Sequence, residues 1–432
     1  MEEQTSAQAR LENGRKRRLE EKRKRRLRGR VLLLVLLTIA VLSLILILRG
    51  CGSRQEPEQP QENAHIAAER PALDTEPDTV ITIAAVGDIQ LSEAQLEDAL
   101  QEGGGFQFAP NFAAVSGYTS AADFTLGDLE LNFCGAPYSG KPDYRAPDAL
   151  AETLRSIGFD LLQTANTCSI QNGISGLKST IRCLEQAGID HAGTYASAEE
   201  KAANAGVLLR NINGVQVAFL AYTKGLNSLS LPEGSEYAVD LLYQDYSTDY
   251  SKVDTAALTA SLDAAKALKP DVIIALLHWG AEYDNSVSST QEKIRKLLLE
   301  GGVDAIIGTH SHMVSTMETR EVTTTDGEKK TCFVAYSLGN FYSDSTRAHT
   351  RESVILNLQF TKNGETGDTA LSGVSYIPIY TVDNGEEAEQ RFEVLPIRSA
   401  ISSGLFPEQT ERFTQAIADL RSATDSDYDS GR

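Results

Sequence analysis

Five apolar runs in this chain stop on a carboxylate, an amide or an imidazole, and that ending constrains the fold more than any other feature. TVITIAAVGD runs into Asp88, ADFTLGDLE into Asp128 and Glu130, and GFDLLQTAN into Asn166. PDVIIALLHWG runs into His278, and VDAIIGTHSH into His310 and His312. Apolar stretches of this kind, bounded by polar loops, read as strands buried on both faces. Amphipathic patterns such as ISGLKSTIRCLEQAG, DTAALTASLDAAKAL and QEKIRKLLLEGG lie between them. Strands alternating with helices predict an α/β layered domain. In such domains ligands sit beyond the carboxyl ends of the strands, which is where these polar residues fall.

The remainder of the body is more β-rich. GVLLRNINGVQVAFLAYT predicts a hairpin around Asn-Ile-Asn-Gly, and the runs on either side of Asp326-Gly327 predict another. ESVILNLQF, VSYIPIYTV and FEVLPIR read as further strands with little helix between them, so a parallel first part joins a more antiparallel second part. PEQTERFTQAIADLRSA closes the chain as a helix. There is no Walker loop, no GxGxxG, no internal repeat and no basic stripe in the body, which argues against nucleic acid as a partner.

Charge divides the chain of 432 residues. Residues 1–30 hold twelve Lys/Arg against five Asp/Glu, a balance of +7, so with −20 overall residues 31–432 carry −27. Between tail and body lies VLLLVLLTIAVLSLILIL, Val31 to Leu48, with no charge. That length is close to the minimum for a helix crossing the ~30 Å hydrocarbon core. The basic cluster on its N-terminal side predicts a cytoplasmic N-terminus and an extracytoplasmic body on a single-pass anchor in the cell membrane. A cleaved signal peptide is the alternative, but Arg49 after the run and the absence of a small-residue cleavage site fit it poorly. The expected organisation is a basic tail (1–30), a transmembrane helix (31–48), a Pro/Glu/Gln-rich tether (49–78), the main domain (79–406), and a C-terminal helix with acidic tail (407–432).

His65 falls in the tether, His191 near a short strand and His349 in a loop; the other three of six histidines stand at strand ends. A lone histidine after a strand is usually structural. His-x-His together with His278 and two Gly-Asp corners is more specific. Imidazole and carboxylate together suit Zn, Mn or Fe, one ion or two.

At these residues the sequence resembles the CapA family, capsule or poly-γ-glutamate synthesis proteins with a calcineurin-like metallophosphatase fold. AAVGDI, GDLELNFCG, YRAPDALAETLRSIGFDLLQTAN, LLHWGAEY, IIGTHSH and AYSLGNFYSD match its motifs in order, from about Thr79 to about Asp344. The resemblance implies a four-layer α/β/β/α sandwich, membrane attachment and a role in synthesis, export or retention of an extracellular polymer. It implies Asp88, Asp128, His278, His310 and His312 as metal ligands, with Asp128 bridging two ions. Glu130, Arg145 and Asn166 would be catalytic-site residues, and Trp279, Glu282 and Tyr283 would shape the pocket, although Trp279 and Tyr283 suit a packing role as well.

One stretch departs from the family. Where the family reads Ala-Asn-Asn-His, this chain reads Ala165-Asn166-Thr167-Cys168, and Gln171-Asn172 stand near the family's later Asp. Threonine is a poor metal ligand, and a thiol does not replace imidazole as a proton donor near neutral pH. Two functions follow: a metal-dependent hydrolase or transferase with a degraded site, or a non-catalytic scaffold that binds polymer or synthase and export proteins. A wall-associated binding protein is a third. A body at −27 repels an anionic polymer at long range, so contact would need metal or a local patch such as Lys141 and Arg145. Cys134, Cys168, Cys183 and Cys332 admit three pairings. A Cys134–Cys168 bridge across the rim is the expectation, against separate thiols or a Cys168–Cys183 pair.

Overall fold

A computed structural model describes residues 77–424 and 426–431. The expected basic tail, the anchor Val31–Leu48 and nearly all of the tether lie outside them. No helix among the described residues is long and apolar enough to cross a membrane.

The strands follow in chain order as β1 (Thr79–Ile89), β2 (Phe124–Leu129), β3 (Leu161–Gln163), β4 (Asp190–Ala192), β5 (Leu208–Ile212), β6 (Val215–Thr223) and β7 (Val272–His278). Then come β8 (Ala305–Thr309), β9 (Met317–Thr323), β10 (Lys329–Ala335), β11 (Asn340–Tyr342), β12 (Glu352–Lys362), β13 (Thr369–Asp383) and β14 (Phe392–Pro396). One sheet has the order β14-β13-β12-β1-β2-β3-β4, with β11 pairing the end of β1; the other is β5-β6-β7-β8-β10-β9. β1 to β4 run parallel, as do β6, β7, β8 and β10, whereas β12 to β14 pair antiparallel. Both hairpins expected from sequence form. β5 and β6 meet through Asn213 and Gly214, both with positive φ, the requirement of a two-residue turn whose twist suits a hairpin. β9 and β10 pair around Asp326-Gly327.

Strand alternation explains the layers. Ile81, Ile83 and Ala85 of β1 and Leu126 of β2 share a core with Val217 and Phe219 of β6, Ile274 and Leu276 of β7 and Ile307 of β8. That core lies between the sheets; Phe124 and Phe219 stack across it at 5.3 Å. The opposite residues, Ala84, Val86 and Leu162, pack on Leu150 and Leu154 of helix Ala149–Ser156 and Leu184 of helix Gly173–Ala187. On the second sheet Ala218, Ile273, Ala275 and Ile306 pack on Leu258 and Leu262 of helix Thr255–Ala267 and Ile294 and Leu298 of helix Ser289–Glu300. The result is the four-layer α/β/β/α order. Apolar burial at roughly 25 cal/mol per Å² on both faces of the central strands is what their unbroken apolar runs supply.

Helix Thr410–Ala423 is less separate than the sequence suggests. Its Phe413, Ala416 and Leu420 enter the inter-sheet core, with Phe413 edge-on to Tyr380 at 5.5 Å.

Candidate metal centre between the sheet ends

Register brings the polar strand ends together. In the first sheet Asp88 stands beside Asp128 on one side and Asn340 of β11 on the other. In the second sheet His278 stands beside Thr309, and His310 and His312 follow. The carboxylates therefore come from one sheet and the imidazoles from the other. Two glycines permit close packing within each sheet at these strand ends. A Cβ on Gly87 would collide with the Gly339 carbonyl, which accepts the Asp88 N–H at 2.9 Å. One on Gly308 would collide with the Tyr336 carbonyl.

The cluster is almost wholly buried, with Asp88, Asp128 and His278 at 0% exposure. His278 Nδ1 lies 2.7 Å from Asp128 Oδ2, which also accepts from Thr309 Oγ1 at 3.0 Å. Asn166 Nδ2 donates to Asp128 Oδ1 at 2.9 Å and to the Leu129 carbonyl at 2.7 Å. His312 Nδ1 lies 2.9 Å from Asp88 Oδ2 and 3.1 Å from Asn340 Oδ1. Gln90 donates to Glu130 Oε2 at 2.5 Å. His310 and His312 hold φ of 92° and 60°, a region non-glycine residues rarely occupy and one that concentrates at functional sites.

Three buried atoms of this cluster have no hydrogen-bond partner: Glu130 Oε1, His278 Nε2 and His310 Nδ1. The first two lie 3.1 Å apart without the alignment of a hydrogen bond. Glu130, His278 and His310 offer ligand atoms within 4.8 Å of one another, and so do Asp88, Asp128, Glu130 and His278. Buried polar atoms are rarely left unsatisfied, because each costs about 1–3 kcal/mol. A mixed nitrogen and oxygen donor set converging on one point fits a divalent ion of the Zn, Mn or Fe type.

The electrostatics point the same way. Burial, then the Glu130 carboxylate, push Asp88 up to about 7, against the pull of His312. Burial alone would raise Glu130, but His312, His278 and Gln90 outweigh it and hold it down to about 2. Burial alone would depress His278 and His312; Asp128 and Glu130 push the first up to about 10, and Glu130 and Asp88 push the second up to about 9. Burial and the neighbouring charge of His278 drive His310 well below its ordinary value. The shifts show that these carboxylates call for positive charge beside them, which a proton or a cation can supply.

The residues expected at the site are distributed as follows. Asp88, Asp128, Glu130, Asn166, His278, His310 and His312 gather in the cluster. Arg145 does not join it: its guanidinium donates to the Pro137 carbonyl at 2.7 Å, the Gly135 carbonyl at 3.1 Å and Asn172 Oδ1 at 3.1 Å. All three acceptors belong to the surrounding loops, so Arg145 braces the wall. Trp279 is core: fully buried, stacked on Tyr336 at 5.7 Å, with Nε1 donating to the Tyr336 carbonyl. Tyr283 faces His312 at 5.3 Å with the Arg347 guanidinium 4.1 Å over its ring. Glu282, Lys141, Tyr144, Thr167, Cys168 and Gln171 line a mouth of about 270 Å³ that reaches Glu130 and His312.

Three contributors escape a reading of the sequence: Thr309, Asn340 and Gln90. Asn340 carries a signal, since it closes the Leu338-Gly339-Asn340 motif in the short link from β10 and opens β11. The Cys134–Cys168 bridge is not formed; all four described cysteines are free thiols. Cys168 is buried with its Sγ turned to Asn227 Nδ2 at 3.7 Å, while Cys134 is partly exposed on the loop that Arg145 braces. Burial, then the Glu130 charge, raise the Cys168 thiol well above its ordinary value, so it stays protonated.

Asn166 acts through Asp128, and its Oδ1 also accepts the Cys168 N–H at 3.0 Å. Replacing it (Asn166→Ala) is expected to weaken metal binding about 10–100-fold, the range for a lost outer partner of a ligand. Metal titration of the variant against the parent measures this; unchanged affinity would remove Asn166 from the site.

The sheets and the buried carboxylate–imidazole cluster between their ends define this chain as a layered α/β protein with a candidate metal centre. The profile of the bacterial capsule synthesis proteins, PGA_cap, matches residues 82–345, and the chain belongs to that family. It is 26% identical over 293 residues to the capsule biosynthesis protein CapA of Bacillus anthracis, covering 66% of this chain and 65% of that one. It is 24% identical over 306 residues to the PGA biosynthesis protein CapA of Bacillus subtilis (strain 168), covering 69% and 72%. The chain thus aligns with just under two thirds of the Bacillus anthracis protein. Among solved structures, a phosphatase from Mycoplasma pneumoniae superposes with a TM-score of 0.38 at 15% identity, over 70% of this chain and 94% of that one. The sulfate thiohydrolase SoxB of Thermus thermophilus superposes with a TM-score of 0.37 at 12% identity, over 82% and 62%. The layer order rests on the chain's own sheets.

Proposed function

We propose that this is a membrane-anchored, extracytoplasmic capsule-synthesis protein that engages an anionic envelope polymer through a divalent ion held at the sheet ends, with hydrolytic or transferase turnover weakened by its own sequence. The observation that carries the reading is the convergence of Glu130 Oε1, His278 Nε2 and His310 Nδ1, three buried atoms without a hydrogen bond, the first two 3.1 Å apart. Asp88, Asp128, Glu130, His278 and His310 would hold the ion, as in a metallophosphatase. A bound ion there would supply Lewis acidity and a lowered pKa for water.

The protein's own groups do the rest. Asp128 orients His278 through Nδ1, leaving Nε2 to ligate. Asp88 and Asn340 fix His312 at the inner end of the mouth. Lys141 and Gln171 at the rim offer donors to an anionic chain, while the net charge of −27 beyond the tail discourages contact elsewhere. Thr167 and Cys168 occupy the place where the family has an amide ligand and an imidazole acid. A neutral, buried thiol does not deliver a proton to a leaving group efficiently. That substitution also supports a second reading, in which the chain binds polymer and partner synthase or export proteins without turnover.

The test is binding of poly-γ-glutamate by full-length protein with and without EDTA, alongside hydrolysis of phosphoesters and amide-linked polymers. Metal-dependent binding with slow or no hydrolysis is expected. Binding unchanged by chelation would remove the ion from recognition.

A further inference from the structure

We propose that His349, Glu352 and Asp419 form a second divalent-cation site, of zinc type, that pins the C-terminal helix to β12. The three residues come from three elements: the loop between β11 and β12, the first residue of β12, and helix Thr410–Ala423. Their ligand atoms lie within 4.8 Å of one another. His349 Nδ1 is 2.8 Å from Glu352 Oε1 and 3.6 Å from Asp419 Oδ2.

One imidazole nitrogen facing two carboxylates cannot serve both as a hydrogen-bond donor. It carries one proton, and 3.6 Å is beyond hydrogen-bond range. A tetrahedral ion with ligands at about 2.0–2.2 Å separates its ligand atoms by roughly 3.3–3.6 Å. The Asp419 distance already meets that spacing, and the Glu352 distance needs to open by well under ~1 Å. One ion would then satisfy both carboxylates at once.

The surroundings suit a ligand set. Among the described residues no lysine or arginine lies within ion-pair distance of Glu352 or Asp419, although Arg347, Arg351 and Arg412 line the larger cavity; the basic side chain that faces both carboxylates is His349. The Glu352 side chain is 10% exposed and that of His349 52%. The carboxylate is thus fixed and desolvated, while the ion stays reachable. All three residues line both a cavity of about 1000 Å³ and a smaller one of about 270 Å³, which leaves room for water in the open positions. The second oxygen of Asp419 accepts from Gln415 Nε2 at 2.8 Å, an outer partner of the kind that fixes a ligating carboxylate. His349 is held with φ 60° in a loop secured by Thr350 Oγ1 to the Arg347 carbonyl at 2.8 Å and Arg351 Nε to the Ser345 carbonyl at 3.0 Å. One imidazole with two carboxylates favours zinc, manganese or iron over calcium.

The same loop reaches the first centre. Asn340 Nδ2 donates to the Thr350 carbonyl at 3.0 Å, and Ser343 Oγ to Gln90 Oε1 at 3.2 Å. An ion at His349 would tie the helix that closes the core to the segment carrying Asn340.

The test is calorimetric titration of the full-length, chelator-stripped chain with Zn²⁺. The background is His278→Gln with His310→Gln, which silences the first centre. That parent is expected to take up one equivalent. His349→Asn, a residue that tolerates the left-handed backbone, and Asp419→Asn in the same background are each expected to weaken uptake at least tenfold. Zinc should raise the melting temperature of the parent and not of either variant, with all three melting alike in metal-free buffer. If one variant melts lower without metal, the other carries the comparison. Equal uptake with and without His349 and Asp419, or no uptake by the parent, overturns the proposal.

Discussion

Restoring the family's pair, with Thr167→Asn and Cys168→His together, is expected to raise hydrolysis of esters with poor leaving groups by about 10²-fold or more, the usual worth of a positioned general acid. The double change is designed from position. Cys168 lines the mouth that reaches Glu130 and His312, so an imidazole there extends into existing space. Asn166, one residue before the pair, already holds Asp128. Leaving groups separate this from a general repair of the site. An aryl ester that departs as a stable anion needs no proton, so its hydrolysis should change little. An alkyl ester should show the whole gain. An equal rise for both would mean that the Thr167→Asn change improved metal binding through its new amide, with no gain in proton transfer. No rise for either, with metal bound, would favour the scaffold reading.

The largest stability effect is expected at Trp279. Trp279→Ala should cost about 4 kcal/mol, within the 3–5 kcal/mol typical of large aromatic truncations in a core. Two losses combine. The indole is fully buried and stacked on Tyr336, and its Nε1 is the donor to the Tyr336 carbonyl at 3.0 Å. Domains are commonly stable by only about 5–15 kcal/mol, so this removes much of the margin. Trp279 is the sole tryptophan, so unfolding must be followed by circular dichroism and not by fluorescence. A fall in the denaturant midpoint at unchanged slope is the expected signature. Trp279→Phe should recover most of the loss. A cost below about 1 kcal/mol would show that the cavity collapses readily.

Much of this was legible in the sequence for definite reasons. A strand buried on both faces writes itself as an unbroken apolar run, and its end is marked where a charged residue stops the run. That is how Asp88, Asp128, His278 and the His-x-His pair stand out in the sequence. Asn-Gly and Asp-Gly turns announce hairpins because φ above zero restricts the residue choice. That Arg145 turns to loop acceptors is not legible, because sequence carries no direction: a guanidinium near a site can point at loop carbonyls as readily as at a ligand. Periodicity does not reveal Asn340, because β11 has only three residues; only the Leu-Gly-Asn motif marks it. The role of Phe413 and Leu420 was hidden because an amphipathic helix does not say which core it covers. Cys134 and Cys168 illustrate a further limit, since proximity of two loops does not orient two thiols.

The division of the first centre between the sheets has a bearing on assembly. Asp88, Asp128 and Glu130 on one sheet alone would form a knot of mutually repelling anions, and His278, His310 and His312 on the other a patch that resists protonation. Neither half can settle its own charges. Neutralisation arrives when the two layers meet, whether by imidazole protons or by an ion. The centre is therefore a clasp that exists only where the two sheets are packed together, and its geometry depends on the apolar faces that align them.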